Sequence, residues 1–178
     1  MGKFFNKVII SAGGSAGPSF GTDGSVYRML EEMGFKIAPV YCGLAPLKVS
    51  ESTASLKGVR ANCSISAYAG EKLLRTEKGE LQFTDYGLSG IAIMQLSRLC
   101  KKGTKISVDL FPEMTVSELC DYLINRAKLF EHRKLEQFFV GTLHKAICSF
   151  IISRCGLSPK SVVGTLSADD IQKLSKTM

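Results

Sequence analysis

Residues 59–67 read Val59-Arg-Ala-Asn-Cys-Ser-Ile-Ser-Ala67, and this stretch decides the fold class. Apolar side chains occupy every second position, at Val59, Ala61, Cys63, Ile65 and Ala67, with polar residues between them. A repeat of two residues is typical of a strand with one buried face. The stretch therefore predicts a half-buried strand of an antiparallel sheet.

The residues that follow predict more short strands and one helix. Tyr68–Glu71 and Lys78-Gly79 have the composition of turns. The strands between and after them are predicted at Lys72–Thr76, Glu80–Thr84 and Thr104–Leu110, and the helix runs from an N-cap at Ser89 through Arg98. Several antiparallel strands with a single helix indicate a small barrel or sandwich.

The last third of the sequence predicts helices. Thr115-Val-Ser-Glu118 has the pattern of a capping box and predicts the start of a first helix. Apolar residues at helical spacing from Leu135 to Ile151 predict a second, longer helix that contains His144 and is stopped at Gly156. Ser158-Pro159 predicts the start of a third helix, and Ser167-Ala-Asp-Asp170 caps a fourth. Helices with short connections bury their stripes against one another, which predicts a small bundle.

The first residues predict a strand, a glycine turn and a helix. Lys7–Ser11 is predicted as a short buried strand, followed by the turn Ala12-Gly13-Gly14. Gly21-Thr22-Asp23-Gly24 then leads into a helix from Ser25 to Met33, and Phe35–Tyr41 alternates like another strand. Free N–H groups at a helix start suit a phosphate or an anionic ring edge. A plain pair of turns before a capped helix is the alternative interpretation.

Composition excludes several other classes of protein. The formal net charge is +7, but the basic residues are scattered and no nucleic-acid motif occurs. The six cysteines form no C-x-x-C pair, and neither histidine lies at metal-ligand spacing from two cysteines, so no metal site is predicted. No apolar stretch is long enough for a signal peptide or a membrane span. We therefore expect a soluble, cytoplasmic protein that binds neither nucleic acid nor membrane.

A polar loop between a strand and a helix is the best candidate for a ligand-facing surface in the middle of the chain. It reads Gly79-Glu-Leu-Gln-Phe-Thr-Asp-Tyr-Gly-Leu-Ser-Gly90. Binding residues are common on such loops. Its alternative interpretation is an ordinary barrel loop that caps a helix. No nucleophile motif or histidine arrangement occurs, so no catalytic residue is assigned.

The chain resembles a group of bacterial FAD-dependent flavoproteins that includes aminoacetone-oxidase-like enzymes and the flavoprotein of bile-acid dehydroxylation. Val8–Tyr27, Leu44–Lys48 and Glu80–Arg98 carry the resemblance, and Phe83-Thr-Asp-Tyr-Gly-Leu-Ser-Gly90 is its most specific part. The family turn usually reads Ala-Thr-Gly-Gly, where this chain has Ser11-Ala12-Gly13-Gly14.

The resemblance implies an α+β fold in three parts. Residues 1–43 would be a strand–turn–helix remnant of a Rossmann-like FAD domain, residues 44–111 a small antiparallel β-barrel, and residues 112–178 a helical bundle. The family's opening dinucleotide fingerprint and closing glycine-rich FAD segment do not occur in this sequence. The expectation is therefore an insert portion that lacks most of the FAD site.

The same resemblance implies a function and site residues. Gly13, Gly14 and the segment Gly21, Thr22, Asp23 and Gly24 would lie near the FAD, and Asp85, Tyr86 and Ser89 would face the cleft over the flavin ring. The partners would be the remainder of the flavoprotein chain, a small-molecule substrate and NAD(P)H. The isolated chain is expected to be inactive and not to retain FAD. The alternative function is a stand-alone binding module with a basic surface.

Overall fold

A computed structural model describes residues 5–178 of the protein. The chain divides into two compact units, residues 1–42 and residues 43–178.

The first unit contains one short α-helix. A 3-10 turn spans Pro18–Phe20, and α1 spans Ser25–Glu32. Gly24 is the N-cap residue of α1 with φ 79°, and Gly34 follows its end with φ 89°, conformations that glycine adopts without strain. The predicted helix and the glycine before its start are therefore confirmed.

The two strands predicted in the first unit are not present among residues 5–42. Lys7–Ser11 and Phe35–Tyr41 have no regular secondary structure. Val8 and Ile9, predicted to be buried, are 75% and 92% exposed. A strand forms when a neighbouring strand takes up its backbone hydrogen bonds, and no described strand pairs with either segment. The Rossmann-like remnant accordingly stays a prediction.

The second unit contains a curled antiparallel half-barrel. Its strands are β1 (Leu47–Lys48), β2 (Arg60–Ala69), β3 (Lys72–Phe83), β4 (Gly87–Ser89) and β5 (Lys105–Asp109). The spatial order is β1-β4-β3-β2-β5. Cys63, Ile65 and Ala67 of β2 are buried, which confirms the alternation from which the sheet was predicted.

Two local predictions in the sheet are wrong. Lys78-Gly79 is not a turn, because both residues stay in the β2–β3 ladder, opposite Ser64 and Cys63. Ser89 is not a helix cap, because it lies in β4 and pairs with Gln82. The N-cap residue of α2 (Ile91–Ser97) is Gly90, with φ 104°, where a Cβ atom would collide with the carbonyl of Glu80. Glycine is needed there for this close approach.

The remaining helices are α3 (Val116–Leu129), α4 (Leu135–Phe138), α5 (Lys145–Arg154) and α6 (Ala168–Thr177). The capping box predicted at Thr115 and the helix cap predicted at Ser167 are both confirmed, and both are capping boxes. The hydroxyl of Thr115 accepts from the backbone N–H of Glu118, and the hydroxyl of Ser167 accepts from that of Asp170. In each box the acidic side chain also accepts from the backbone N–H of the cap residue.

The predicted long helix between Leu135 and Ile151 is divided in two. Gly141 adopts φ 84° between α4 and α5. His144 is the N-cap residue of α5 rather than an interior residue, and its Nδ1 accepts from the N–H of Ala146 at 3.2 Å. Ser158-Pro159 begins a turn instead of a helix, and the next regular element is a 3-10 turn at Val163–Thr165.

The sheet and the helices of the second unit share one hydrophobic core. Ile65 and Leu81 from the sheet and Leu123 and Leu174 from the helices are fully buried in the same cluster. The helices therefore bury their apolar faces against the sheet as well as against one another. The boundary between a barrel at residues 44–111 and a bundle at 112–178 stays a prediction. Within residues 5–178, none of the helices has both the length and the apolar character required to cross a bilayer.

Candidate functional site

In the first unit, the two predicted glycine segments lie against each other. A Cβ atom at Gly13 would lie 2.6 Å from Cγ2 of Thr22, and a Cβ atom at Gly14 would collide with Oη of Tyr27. The hydroxyl of Thr22 donates to the carbonyl of Gly17 at 3.0 Å. The turn at Gly13-Gly14 is thus fitted to side chains of its own unit, which accounts for both glycines without a ligand.

The start of α1 already has an anion beside it. The Asp23 carboxylate accepts from the backbone N–H of Ser25 at 2.9 Å. Hydrogen bonds from the Ser25 side chain and backbone hold the pKa of Asp23 below its ordinary value. A negative charge at the positive end of a helix is favourable, and it disfavours a phosphate at the same place. The start of α1 is therefore less suited to a phosphate than the sequence suggested.

In the second unit, Asp85 and Tyr86 lie on an exposed turn between β3 and β4. The carbonyl of Gly87 accepts from the N–H of Thr84 at 2.8 Å and from its hydroxyl at 3.0 Å, which closes the turn. Asp85 forms an ion pair with Lys57 at 2.7 Å. This ion pair, through hydrogen bonding and charge, lowers the pKa of Asp85 and raises that of Lys57. The Tyr86 ring is about half exposed.

Ser89 is placed apart from these two residues. It lines a groove of about 450 Å³ next to the start of α2, together with Arg60, Gln82 and Gln95. Asp85 and Tyr86 do not line this groove. The structure therefore brings Asp85 and Tyr86 together and separates Ser89 from them, although only a few residues divide them in sequence.

A cavity of the second unit with a volume of about 1260 Å³ lies between β1 and β5, the two edges of the half-barrel. None of the predicted site residues lines it. Its lining includes Lys101, Lys102 and Lys105. These three lysines are close together in the sequence. Their position beside a cavity could not be predicted from it, because that position depends on which strands form the edges of the sheet.

Two further residues near the Asp85 turn were missed. The buried Thr53 donates its hydroxyl to the carbonyl of Thr84 at 2.7 Å, and Lys57 pairs with Asp85. Both partners lie about thirty positions away in sequence. No local pattern signals such contacts. Residues 5–178 contain no cluster of three or more potential metal ligands.

A family model described as "HI0933-like protein barrel and H2TH domain" matches residues 41–178. The 3-dehydro-bile acid delta(4,6)-reductase of Clostridium scindens is 34% identical over 149 residues, which are 80% of this chain and 36% of that protein.

Two ribosomal RNA dihydrouridine synthases are also similar. Those of Haemophilus influenzae and Escherichia coli are each 26% identical, over 172 and 176 residues. These alignments cover 94% and 97% of this chain, and 41% and 42% of the two relatives. The chain thus spans about two fifths of the length of the curated relatives that it matches.

Proposed function

Because this chain belongs to the HI0933-like family of flavoprotein oxidoreductases, we propose that it is the flavin-covering insert portion of an FAD-dependent reductase. The family match over residues 41–178 carries this proposal. FAD would supply the hydride chemistry, and the protein would supply binding, orientation and the exclusion of water.

The names of the relatives support a reaction class. A delta(4,6)-reductase and a dihydrouridine synthase are both named for the reduction of carbon–carbon double bonds. We extend that reaction to the complete protein to which this chain contributes, with NAD(P)H as reductant. A small molecule rather than an RNA is the proposed substrate, because the reductase has the higher identity.

Exposed apolar side chains in the first unit support the role of a portion of a larger domain. Val26 is its single buried hydrophobic residue among residues 5–42. Several large apolar side chains of that unit are more than half exposed: Phe5, Val8, Ile9, Phe20, Met33, Phe35, Val40 and Tyr41. Such a surface is typical of a region that packs against further protein. We propose that the remainder of the flavoprotein chain covers it.

The proposed position of this chain in a larger flavoprotein implies a role for each candidate site residue. In the proposed assembly, the segment from Gly13 to Gly24 approaches a hydroxyl-bearing or neutral part of FAD, because Asp23 disfavours a phosphate at the start of α1. Asp85 and Tyr86, on a turn fixed by Thr53 and Lys57, face the cleft over the flavin ring. Ser89 belongs to the neighbouring groove and contacts the substrate or cofactor from that side.

Titration of the purified chain with FAD tests the proposal. Flavin fluorescence and gel filtration should show no stoichiometric retention, because the proposed site needs protein from outside this chain. Circular dichroism on the same sample establishes that the chain is folded. Tight retention of one FAD per chain, with oxidation of NAD(P)H, would refute the assignment as an insert portion.

A stand-alone binding module with a basic surface is the second candidate. The formal net charge of +7 and the lysines beside the large cavity favour it. This function requires a stable partner whose affinity falls steeply with salt. Affinity capture at low ionic strength, followed by a wash at high salt, tests this function: a partner of the binding module should be captured and then released by the salt. In the flavoprotein role, the contact with the remainder of the protein depends instead on the exposed apolar side chains of the first unit.

A further inference from the structure

We propose that the cavity between β1 and β5 binds an amphipathic organic anion, with an apolar body inside and a carboxylate or sulfonate head at the lysines. This site is separate from the residues assigned above to the flavin, and the inference does not depend on that assignment. It follows from the shape, lining and charge of the second unit alone.

The half-barrel leaves room for a ligand where it does not close. β1 and β5 are the edge strands, and the cavity between them has a volume of about 1260 Å³. Small-molecule sites in proteins usually measure about 300–1,000 Å³. The space is therefore sufficient for a ligand the size of a fatty acid or a fused-ring acid.

The inner wall of the cavity is apolar. The lining side chains that are buried in the protein core come from the segment before β2, the sheet and α5: Leu56, Phe83, Leu88, Ile147 and Ile151. Aliphatic and aromatic walls favour the apolar body of a ligand, because its burial removes hydrocarbon surface from water. A purely polar ligand such as free phosphate would gain nothing from this wall.

The exposed part of the lining is cationic. Five exposed lysines contribute to it: Lys48, Lys101, Lys102, Lys105 and Lys176. They come from β1, the loop before β5, β5 itself and the end of α6. Ion pairs among residues 5–178 include none of the five. Their charges are therefore available to an anion from outside the chain.

The cavity has little negative charge of its own. Among its described lining residues, Glu51 is the one carboxylate, and it pairs with Arg154. The lining thus carries five lysines that form no ion pair among residues 5–178 and one carboxylate that is paired with Arg154. This charge pattern, together with the apolar interior, favours an amphipathic anion over a neutral lipid.

A nucleic acid fits the same lysines less well. Proteins that bind single strands usually combine cations with exposed aromatic rings on which bases stack. Phe83 and Phe150 are the aromatic residues of the described lining, and neither is exposed. The basic rim without a stacking surface therefore favours a compact anion over an RNA strand.

Decanoate and 1-decanol are matched probes, since they share the apolar chain and differ in the charged head group. Isothermal titration of the full chain should show saturable binding of decanoate and at least about tenfold weaker binding of 1-decanol. Equal affinities, or no binding of decanoate, would overturn the proposal. Near-ultraviolet circular dichroism during the titration verifies that decanoate does not unfold the protein.

Charge reversal locates the head group. The double variant Lys101→Glu/Lys102→Glu should weaken decanoate binding about tenfold, as expected for the loss of two favourable charge interactions and the gain of repulsion. The control Lys72→Glu/Lys160→Glu carries the same change in net charge at exposed lysines outside the cavity. An equal loss in both variants would mean general electrostatics and would refute this site.

An RNA decanucleotide provides the third arm of the experiment. If the RNA binds, loses affinity in Lys101→Glu/Lys102→Glu, and decanoate does not bind, the lysines form a nucleic-acid surface and the proposal is wrong. If decanoate binds and the RNA neither binds nor displaces it, the amphipathic anion is supported. Displacement of decanoate by the RNA at comparable concentration would also contradict the proposed selectivity.

Discussion

Nζ of Lys57 lies 2.7 Å from Oδ2 of Asp85, and this ion pair connects the segment before β2 to the exposed turn between β3 and β4. Thr53, which is close to Lys57 in sequence, donates its hydroxyl to the carbonyl of Thr84. A turn fixed at two points positions Asp85 and Tyr86 more firmly than the turn sequence alone would. The ion pair thus fixes Asp85, one of the two residues proposed to face the cleft.

Removal of the Lys57 charge should raise the pKa of Asp85. The pKa of Asp85 lies below its ordinary value of 3.8 because Lys57 donates a hydrogen bond to it and attracts its negative charge. In Lys57→Met the pKa should return toward that value. A carboxyl carbon titration by NMR measures it, with Lys72→Met as the control.

The same pair sets a pH dependence at both extremes. Because the folded pKa of Asp85 is lowered, its contribution to stability is present above the unfolded pKa and is lost as pH falls through the folded pKa. Because the folded pKa of Lys57 is raised above 10.5, its contribution is present below 10.5 and is lost as pH rises through the folded pKa. An unchanged Asp85 titration in Lys57→Met would contradict the ion pair.

Gly87 should tolerate no side chain. A Cβ atom at this position would collide with the carbonyl of Leu47, the residue before its ladder partner Lys48 on β1. Gly87→Ala should therefore push β1 away from β4 and destabilise the protein by about 1–3 kcal/mol, as overpacking of a fitted site does. Urea denaturation measures the loss.

Gly43→Ala is the matched control for this variant, because a Cβ atom at Gly43 would meet nothing within 4 Å. Its free energy of unfolding should equal or slightly exceed that of the parent, since alanine restricts the unfolded chain. If both variants lose the same stability, the close approach of β1 and β4 at Gly87 is not the cause.

Ser167→Ala should cost about 1 kcal/mol of folding free energy, the usual effect of losing an N-cap hydroxyl. The Ser167 hydroxyl accepts from the N–H of Asp170, and Ile171 and Leu174 of the helix that it starts are buried in the core. Ser117→Ala is the control, because Ser117 is exposed in the first turn of α3. Equal effects of the two substitutions on thermal unfolding would argue against the capping role.

Thiol labelling should separate the cysteines by burial. Burial raises the pKa of Cys63 and of Cys148 to about 11. Both thiols therefore remain protonated at neutral pH, and the thiolate is the reactive form. Cys42 is exposed. Iodoacetamide followed by peptide mapping should label Cys42 far faster than the other two, and equal rates would contradict the packing of β2 and α5.

Elements whose sequence signals lie within a few residues were predicted correctly. Predictions were wrong where contacts between residues distant in sequence determine the local structure. The alternation at Cys63, Ile65 and Ala67 and the hydroxyl–carboxylate spacings at Thr115 and Ser167 each lie within a few residues, and all three predictions are confirmed. Lys78-Gly79 has the composition of a turn, yet pairing with β2 keeps it extended. Tertiary pairing outweighs local turn preference at that position.

In the candidate site, too, local features could be predicted and contacts between distant residues could not. The polar loop from Gly79 to Gly90 was predicted from composition, and Asp85 and Tyr86 were assigned to the cleft by resemblance. Thr53 and Lys57, which fix their turn, lie about thirty positions away and were not predicted. The glycines at 13 and 14 were assigned to a cofactor by resemblance, and the structure shows an additional reason for them in Thr22 and Tyr27. The cavity between β1 and β5 depends on strand order, which no local pattern encodes.

The central claim is that this chain is the flavin-covering portion of a reductase, and a chimera tests it most directly. The segment of the Clostridium scindens reductase that aligns with this chain would be replaced by the sequence described here, and the purified chimera would be examined for bound flavin by absorbance. The account predicts a folded protein that retains flavin and is reduced by NAD(P)H. A folded, monodisperse chimera without flavin, beside a parent enzyme that retains it, would contradict the account.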